Sequence, residues 1–275
     1  MTAWRLTRVH AGPTGEVRWQ RLGRGRDPVV LLHGTPFSAY VWRAIARSLA
    51  DSHQVYVWDM PGYGASQMSP GQDVSLAAQG RVFAGLLTAW GLREPLVVAH
   101  DIGGCVALRA HLLHGARYRA LALVDAVALA PWGSPFFRLI ASHADVFTQL
   151  PAALHAALVR AYVASASARG LHPATHEALV APWLGEPGQA AFYRQIAQAD
   201  QRHTDGIEPR YRAIDLPVLV CWGEEDTWLP VDRAYELVER IPGARLRLLP
   251  GAGHLVQEDA PAELTGVLLR FLDPG

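Results

Sequence analysis

Short apolar runs alternate with longer amphipathic stretches in the first half of the chain. The runs are rich in Val and Leu, and in the stretches between them apolar residues recur at every third or fourth position. This alternation is typical of parallel β-strands joined by crossover helices. Two earlier runs, residues 4–9 and 16–20, predict an antiparallel hairpin at one edge of the sheet. The predicted strands are 28–32, 54–58, 95–99 and 120–124, and the predicted helices are 40–50, 75–90 and 104–114.

The pattern changes between residues 130 and 212, where Ala-rich helical stretches separated by Pro, Gly and His replace the strand signals. Neither flank alone makes a sheet with both faces covered, so one sheet interrupted by a helical cap explains the pattern better than two domains. We therefore predict an α/β core over 1–129 and 213–275, with about eight mostly parallel strands flanked by helices, and a cap over 130–212. After the cap, the predicted strands are 217–222 and 245–249, and the predicted helices are 232–240 and 261–272.

Composition narrows the class of protein. The chain has 275 residues, half of them hydrophobic, and 25 basic residues balance 25 acidic ones. A balanced charge gives no field that would favour nucleic acid or an anionic membrane surface as a partner. Residues 1–15 lack the apolar stretch of a secretory signal, so we expect a cytoplasmic protein. Cys105 and Cys221 lie in apolar segments, which indicates buried thiols; we expect no metal site and no cofactor.

The strongest chemical signal is the run VVAHDIGG at residues 97–104, a strand that leads through small residues directly into a helix. Such a strand-to-helix elbow holds its central residue in a strained turn, so the flanking positions must be small, as Ala99 and Gly103 are. The side chain at the tip projects above the carboxyl end of the sheet. Serine is usual there, but this chain has Asp101. An isolated Asp at this position would more often be a helix N-cap.

Other segments of the chain follow in the order that a catalytic elbow requires. The run HGTP at 33–36 comes after the first central strand and suits an oxyanion loop, in which the N–H of Thr35 would pair with that of Ile102. Near the end of the chain, the GAGH run places His254 in a loop after the last strand, where a general base could reach Asp101. Because these partner segments are present, we interpret Asp101 as a nucleophile and not only as a helix N-cap.

A carboxylate must orient the imidazole of His254. Asp226, in the run GEEDTWLP after the penultimate strand, completes the order nucleophile, acid, histidine. Its neighbours Glu224 and Glu225 are further candidates, because the role needs only a carboxylate that reaches the imidazole Nδ1–H.

Two longer motifs carry a family resemblance. Residues 33–43, HGTPFSAYVWR, and residues 59–66, DMPGYGAS, are similar to motifs of the epoxide hydrolase and haloalkane dehalogenase branch of the α/β-hydrolase superfamily. With the Asp101 elbow, this resemblance covers the whole sheet domain. It implies an α/β-hydrolase fold in which an aspartate forms a covalent alkyl ester that water then hydrolyses. Some members place the orienting acid after the strand that follows the elbow helix, and Asp125 occupies that position here.

Departures from the branch motifs bear on the reaction. Most haloalkane dehalogenases hold the leaving halide with a Trp after the nucleophile and often an Asn after the HG pair, where this chain has Ile102 and Thr35. Epoxide hydrolases polarise the epoxide oxygen with two cap tyrosines, and Tyr193 falls near the second of these positions. The first position holds no tyrosine, so Tyr162 or Tyr211 would have to replace it.

The chemistry of a carboxylate nucleophile narrows the substrate. Attack on an ester or amide carbonyl would give an anhydride, whereas attack on an sp³ carbon gives an ordinary ester. We therefore predict hydrolysis of an epoxide in a hydrophobic small molecule, with Tyr193, Trp132 and Phe37 in contact with the substrate. Haloalkane dehalogenation is the alternative. Two further alternatives remain: hydrolysis of a lactone or ester on the same scaffold, and ligand binding without turnover. The sequence does not predict an oligomeric state.

Overall fold

A computed structural model describes residues 4–273, and within them eight strands form one mixed, mostly parallel sheet. The strand order is β1-β2-β4-β3-β5-β6-β7-β8. The pairs β1–β2 and β2–β4 are antiparallel, and every other pair is parallel. The predicted fold class is confirmed. The strands are β1 (Arg8–Gly12), β2 (Gly15–Leu22), β3 (Pro28–Leu32), β4 (Gln54–Trp58), β5 (Leu96–His100), β6 (Ala120–Val124), β7 (Val218–Gly223) and β8 (Arg245–Leu249).

The edge hairpin is the one place where strand bounds differ clearly from the prediction. Its first strand begins at Arg8, not at Trp4, and the hairpin closes where Gly12 pairs with Gly15. Gly15 has a φ of +110°, a conformation that L side chains rarely adopt, so the turn requires a glycine there. The apolar residues Trp4 and Leu6 are packed against the core from outside the sheet, which explains why their pattern resembles that of a strand.

Helices cover both faces of the sheet. Because β5 and β6 are buried at every position, their sequences are continuous apolar runs and show no alternation. Two short helical turns of the 3-10 type, Ala39–Trp42 and Glu208–Ala213, flank the core helices. The core helices are α1 (Arg43–Leu49), α2 (Leu76–Ala89), α3 (Ile102–His114), α10 (Asp232–Arg240), α11 (Val256–Asp259) and α12 (Pro261–Leu272).

Between β6 and β7 the chain forms a helical insert that lies over the carboxyl ends of the strands. Several hydrogen bonds fix the insert to core loops: for example, Trp183 Nε1 donates to the Pro36 carbonyl at 2.6 Å, Thr35 Oγ1 donates to Gln195 at 2.7 Å, and the Val74 N–H donates to Gln198 at 2.7 Å. The helices of the insert are α4 (Pro135–Ser142), α5 (Ala144–Phe147), α6 (Ala152–Ala164), α7 (Pro173–Val180), α8 (Gly185–Gln198) and α9 (Arg202–Asp205).

Cys105 and Cys221 are buried free thiols. Among residues 4–273, no group of three or more His, Cys, Asp or Glu side chains is arranged to hold a metal ion. In the same part of the chain, every helix is too short or too polar to cross a membrane.

Candidate active site

Asp101 stands at the tip of a strained elbow between β5 and α3. Its backbone has φ 51° and ψ −125°, a conformation that costs a non-glycine residue about 1–3 kcal/mol. Close approach explains the small neighbours of the elbow. A Cβ on Gly34 would lie 2.4 Å from the Asp101 Cβ, and one on Gly103 would lie 2.6 Å from the His33 carbonyl oxygen. Glycine at both positions therefore lets the oxyanion loop pack against the elbow.

The Asp101 carboxylate is bound by backbone donors on the side facing the oxyanion loop. The Thr35 N–H donates to Oδ2 at 2.6 Å, and the adjacent Ile102 N–H also favours the ionised carboxylate. The side chain is buried, and burial raises the pKa of the Asp101 carboxyl above its ordinary value. The charge of His254 and the two N–H donors limit this rise, because they stabilise the ionised form.

His254 lies between Asp101 and Asp226. Its Nδ1 is 2.8 Å from Asp226 Oδ2, and its Nε2 is 3.8 Å from Asp101 Oδ1. Nε2 is buried and has no hydrogen-bond partner within residues 4–273. Burial opposes the charged imidazolium, but the Asp226 carboxylate and then the Asp101 carboxylate outweigh burial, so the pKa of His254 is raised above its ordinary value. The three side chains have the order and contacts that general-base catalysis at Asp101 requires.

The structure places Asp226, and not Asp125, on the imidazole. Asp226 also accepts two backbone N–H groups of its own loop through Oδ1, at 2.8 and 2.9 Å, which fixes the orientation of the carboxylate. Asp125 ends β6 in a second positive-φ conformation and accepts the Gly223 N–H through Oδ1 at 2.9 Å. Glu224 and Glu225 are exposed, and the imidazole Nδ1 is paired with Asp226.

A small cavity opens above Asp101. Of the three residues predicted to contact the substrate, one lines this cavity and two do not. Trp132 lines the cavity, whereas Phe37 lies behind it, stacked on Trp228 with 5.9 Å between ring centroids. Tyr193 is outside the lining, and its hydroxyl pairs with His155 Nδ1 at 2.8 Å inside the cap. The lining consists of Thr35, Asp101, Ile102, Val127, Trp132, Gly133, Ser134, Phe137, Tyr162, Trp228, Leu229 and His254.

Tyr162 is the cap tyrosine that lines the cavity. Its ring stacks on Trp228 at 4.3 Å between centroids, and Trp228 stacks in turn on His254 at 4.9 Å. The Tyr162 hydroxyl lies near the Ser134 side chain, which also lines the cavity. The other substitute, Tyr211, is committed elsewhere, because its hydroxyl donates to the Ala128 carbonyl at 2.6 Å. Sequence reasoning missed Trp228, although it stands two positions after Asp226 in a loop already assigned to the site.

A second residue that sequence reasoning missed is Asp259, which holds the loop of His254. Its carboxylate accepts the Gly253 N–H at 2.7 Å and the Ala168 N–H at 2.8 Å, and it also binds the Ser167 hydroxyl. One side chain thus ties the loop before His254 to a segment of the cap. No sequence signal marks this role, since Asp259 lies in an ordinary acidic helical turn.

Comparisons with known proteins agree with this architecture. A family model described as "alpha/beta hydrolase fold" matches residues 27–261. The crystal structure of an alpha/beta hydrolase fold protein from Burkholderia ambifaria is 47% identical, covers 97% of this chain and 98% of its own, and superimposes with a TM-score of 0.93.

Two more distant structures differ in their activities. The epoxide hydrolase CorEH is 19% identical, with a TM-score of 0.83 over 97% of this chain and 98% of its own. A thermophilic esterase from Thermogutta terrifontis is 24% identical, with a TM-score of 0.77 over 94% of this chain and 93% of its own. At such identities the likeness shows the fold alone, while the family match extends over most of the chain. The chain therefore belongs to the α/β-hydrolase fold family.

Proposed function

We propose that the protein is a hydrolase in which Asp101 attacks an sp³ carbon of an epoxide and His254 activates the water that breaks the resulting ester. The observation that carries this proposal is the chemistry of the elbow tip, where a carboxylate occupies the usual place of a serine. An attacking carboxylate gives a stable ester only with an sp³ carbon, so an epoxide or an alkyl halide suits the site better than an ester does.

The two oxygens of Asp101 have different surroundings, which supports a division of labour between them. Oδ2 accepts the Thr35 N–H at 2.6 Å, whereas Oδ1 faces His254 across 3.8 Å. Oδ1 is therefore the attacking oxygen. Once the ester has formed, Oδ2 is its carbonyl oxygen, and the Thr35 and Ile102 N–H groups stabilise the charge that it acquires when water attacks.

Formation of the ester also prepares His254 as a base. The negative charge of Asp101 is one of the causes that raise the pKa of His254 in the free enzyme. Alkylation of Asp101 removes that charge, so the imidazole becomes a weaker acceptor of a bulk proton and stays neutral. The cavity has a volume of about 20 Å³, and a single water needs roughly 10–15 Å³. The cavity can therefore hold one water next to Nε2.

Hydrogen-bond donors near the cavity favour an epoxide over a halide. A leaving halide needs free side-chain N–H donors, but the Trp132 Nε1–H donates to Thr204 at 2.9 Å and the Trp228 Nε1–H donates to Ser165 at 3.1 Å. Tyr162 lines the cavity with its ring and has a hydroxyl that could donate to an epoxide oxygen. In this proposal Tyr162 takes the role that the family resemblance assigns to Tyr193.

Trapping of the ester tests the proposal. Because His254 is needed only to hydrolyse the ester, the His254→Ala protein should accumulate it when exposed to a panel of aryl and alkyl epoxides and matching alkyl halides. Intact-protein mass spectrometry should show one added substrate mass, mapped by peptide analysis to Asp101. An opened epoxide retains its oxygen, while a dehalogenated alkyl group arrives without its halogen.

The matched control is the double variant Asp101→Ala with His254→Ala, which should form no adduct with any compound. An adduct from halides alone would reverse the order of the two candidate reactions. If no compound gave an adduct and the wild-type protein were inactive on the same panel, the alkyl-ester mechanism would be wrong, and lactone or ester hydrolysis or simple ligand binding would take its place.

A further inference from the structure

Two carboxyl groups lie together behind His254. Asp125 is completely buried at the end of β6, and Asp226 is buried in the loop after β7. Asp125 Oδ1 accepts the Gly223 N–H, but Oδ2 meets no N–H or O–H donor among residues 4–273. Gly223 brings the two residues together, because its N–H donates to Asp125 Oδ1 at 2.9 Å and its carbonyl accepts the Asp226 N–H at 3.2 Å, and the Asp226 carboxyl acts on Asp125 from this position. A hydrogen bond between two carboxyl groups exists only when one of them carries a proton.

The count of donors decides which carboxyl carries it. Among the described residues 4–273, Asp226 accepts three N–H groups, from Trp228 at 2.8 Å, from Leu229 at 2.9 Å and from His254 at 2.8 Å, whereas Asp125 accepts the one from Gly223. Hydrogen bonds from N–H donors stabilise the ionised form of a carboxyl, and two adjacent buried carboxylates repel each other. The negative charge therefore belongs on Asp226, and the proton belongs on Asp125.

We propose that Asp125 is a neutral carboxylic acid that donates a hydrogen bond to Asp226 and thereby serves as a positioning residue for the His254–Asp226 pair. The inference rests on the proposed roles of those two residues. It gives Asp125 a function distinct from the one considered in the sequence, where it competed with Asp226 as the orienting acid. The donated bond helps to fix Asp226 and leaves a single negative charge on the carboxyl pair.

The electrostatics of the surroundings agree with this assignment. Burial and then the charge of Asp226 raise the pKa of Asp125 well above its ordinary range. The other titratable groups that face it act in the same direction or are neutral: Asp101 adds a negative charge, and burial raises the pKa of the Cys221 thiol, which stays protonated. The charged side chains that act on Asp125 are Asp226 and Asp101. Both are negative, so neither favours the ionised form of Asp125.

Infrared spectroscopy tests the protonation state without a substrate. At mildly alkaline pH, the difference spectrum between the wild type and Asp125→Asn should contain the C=O stretch of a neutral carboxylic acid, shifted in D₂O. The matched control is Asp59→Asn. Asp59 is another buried carboxyl, which accepts two backbone N–H groups and has a pKa raised by burial to about 6, so it is ionised under these conditions. If the difference spectrum between the wild type and Asp125→Asn showed the loss of a carboxylate band and no neutral C=O band, the proposal would be overturned.

The pH dependence of turnover gives a second test. The acid limb of kcat in variants of Asp125 should shift in opposite directions depending on whether Asp125 is neutral or ionised. If Asp125 is neutral, Asp125→Asn preserves both the charge and a donor to Asp226 and leaves the acid limb of kcat unchanged. Asp125→Leu removes the donor, which makes Asp226 a stronger acceptor and raises the acid limb by roughly one pH unit. If Asp125 were ionised, both variants would remove a negative charge and shift the limb downward, a result that contradicts the inference.

A third measurement covers the case in which Asp125→Asn does not fold. Asp101→Asn protein, labelled with ¹³C at its aspartate carboxyl carbons, should show one neutral carboxyl resonance at mildly alkaline pH. A spectrum containing only carboxylate resonances would refute the proposal. Neither spectroscopic result depends on the reaction catalysed, so failure of this inference is distinguishable from failure of the epoxide mechanism, which shows itself as the absence of a trapped adduct.

Discussion

Gly103→Ala tests whether the packing of the elbow positions the oxyanion loop. The added Cβ would meet the His33 carbonyl oxygen at 2.6 Å and the Leu32 Cβ at 3.0 Å, and a backbone oxygen at the end of a buried strand has little freedom to move. Overpacking of this kind costs about 1–3 kcal/mol, while the change from Gly to Ala within a helix returns about 1 kcal/mol. We expect a net loss of up to about 2 kcal/mol in the free energy of unfolding.

Gly85→Ala is the matched control on α2. Gly85 is exposed, and a Cβ there would have nothing within 4 Å, so the substitution should stabilise the protein by about 0.5–1 kcal/mol through helix propensity alone. The two variants should therefore differ in thermal midpoint by several degrees, at about 2–4 °C for each kcal/mol. Urea unfolding followed by circular dichroism should give the same order.

Activity provides the second readout of this pair. Displacement of His33 moves Thr35, whose N–H binds Asp101, the proposed nucleophile, and an error of about 1 Å in a reacting site can lower the rate about 100-fold. Gly103→Ala should thus lose most of its turnover, while Gly85→Ala keeps that of the wild type. A Gly103→Ala protein with wild-type stability and turnover would refute the account of why the elbow needs a glycine.

Three further outcomes are expected. Asp226→Ala should lower the turnover rate by roughly 10³–10⁴-fold, and far more than Asp125→Ala does, because only Asp226 contacts the imidazole; rates measured side by side decide this. Tyr162→Phe should slow epoxide opening, seen as slower build-up of the Asp101 adduct, while Tyr193→Phe should not, and equal rates would remove Tyr162 from the mechanism. The pKa of Asp101 is raised, and a protonated carboxyl is not a nucleophile. The rate of single-turnover alkylation should therefore begin to fall at a pH above 3.8, the ordinary pKa of an aspartate.

The sequence predicted the sheet well because its parallel strands are buried on both faces. Strand bounds within the core agree to within one residue, since a continuous apolar run such as β6 has no competing interpretation. The hairpin bound was wrong at Trp4, where an apolar side chain packs against the core without joining the sheet. Chain order alone brought Asp101, His254 and the Thr35 loop into one predicted site.

Other parts of the site depend on contacts that sequence order does not encode. Asp125 and Asp226 end adjacent strands, so either carboxylate could in principle reach the imidazole, and only the side-chain geometry separates their positions. Tyr193 and Tyr162 lie on different cap helices, and which ring faces the cavity depends on the packing of those helices. Tyr193 faces His155, a buried polar partner that no spacing rule would indicate.

The shared carboxylate of Asp259 has a consequence for protein engineering. The Asp259 carboxylate binds the loop before His254 and the cap segment around Ala168 at the same time. A change in that cap segment would therefore displace His254, whereas the rest of the cap is not tied to it in this way. The Leu255 N–H, which donates to the Ala166 carbonyl at 2.8 Å, strengthens the same joint. Chimaeras made to change selectivity should therefore exchange the cap helices on either side of this joint and retain 166–169 together with Asp259.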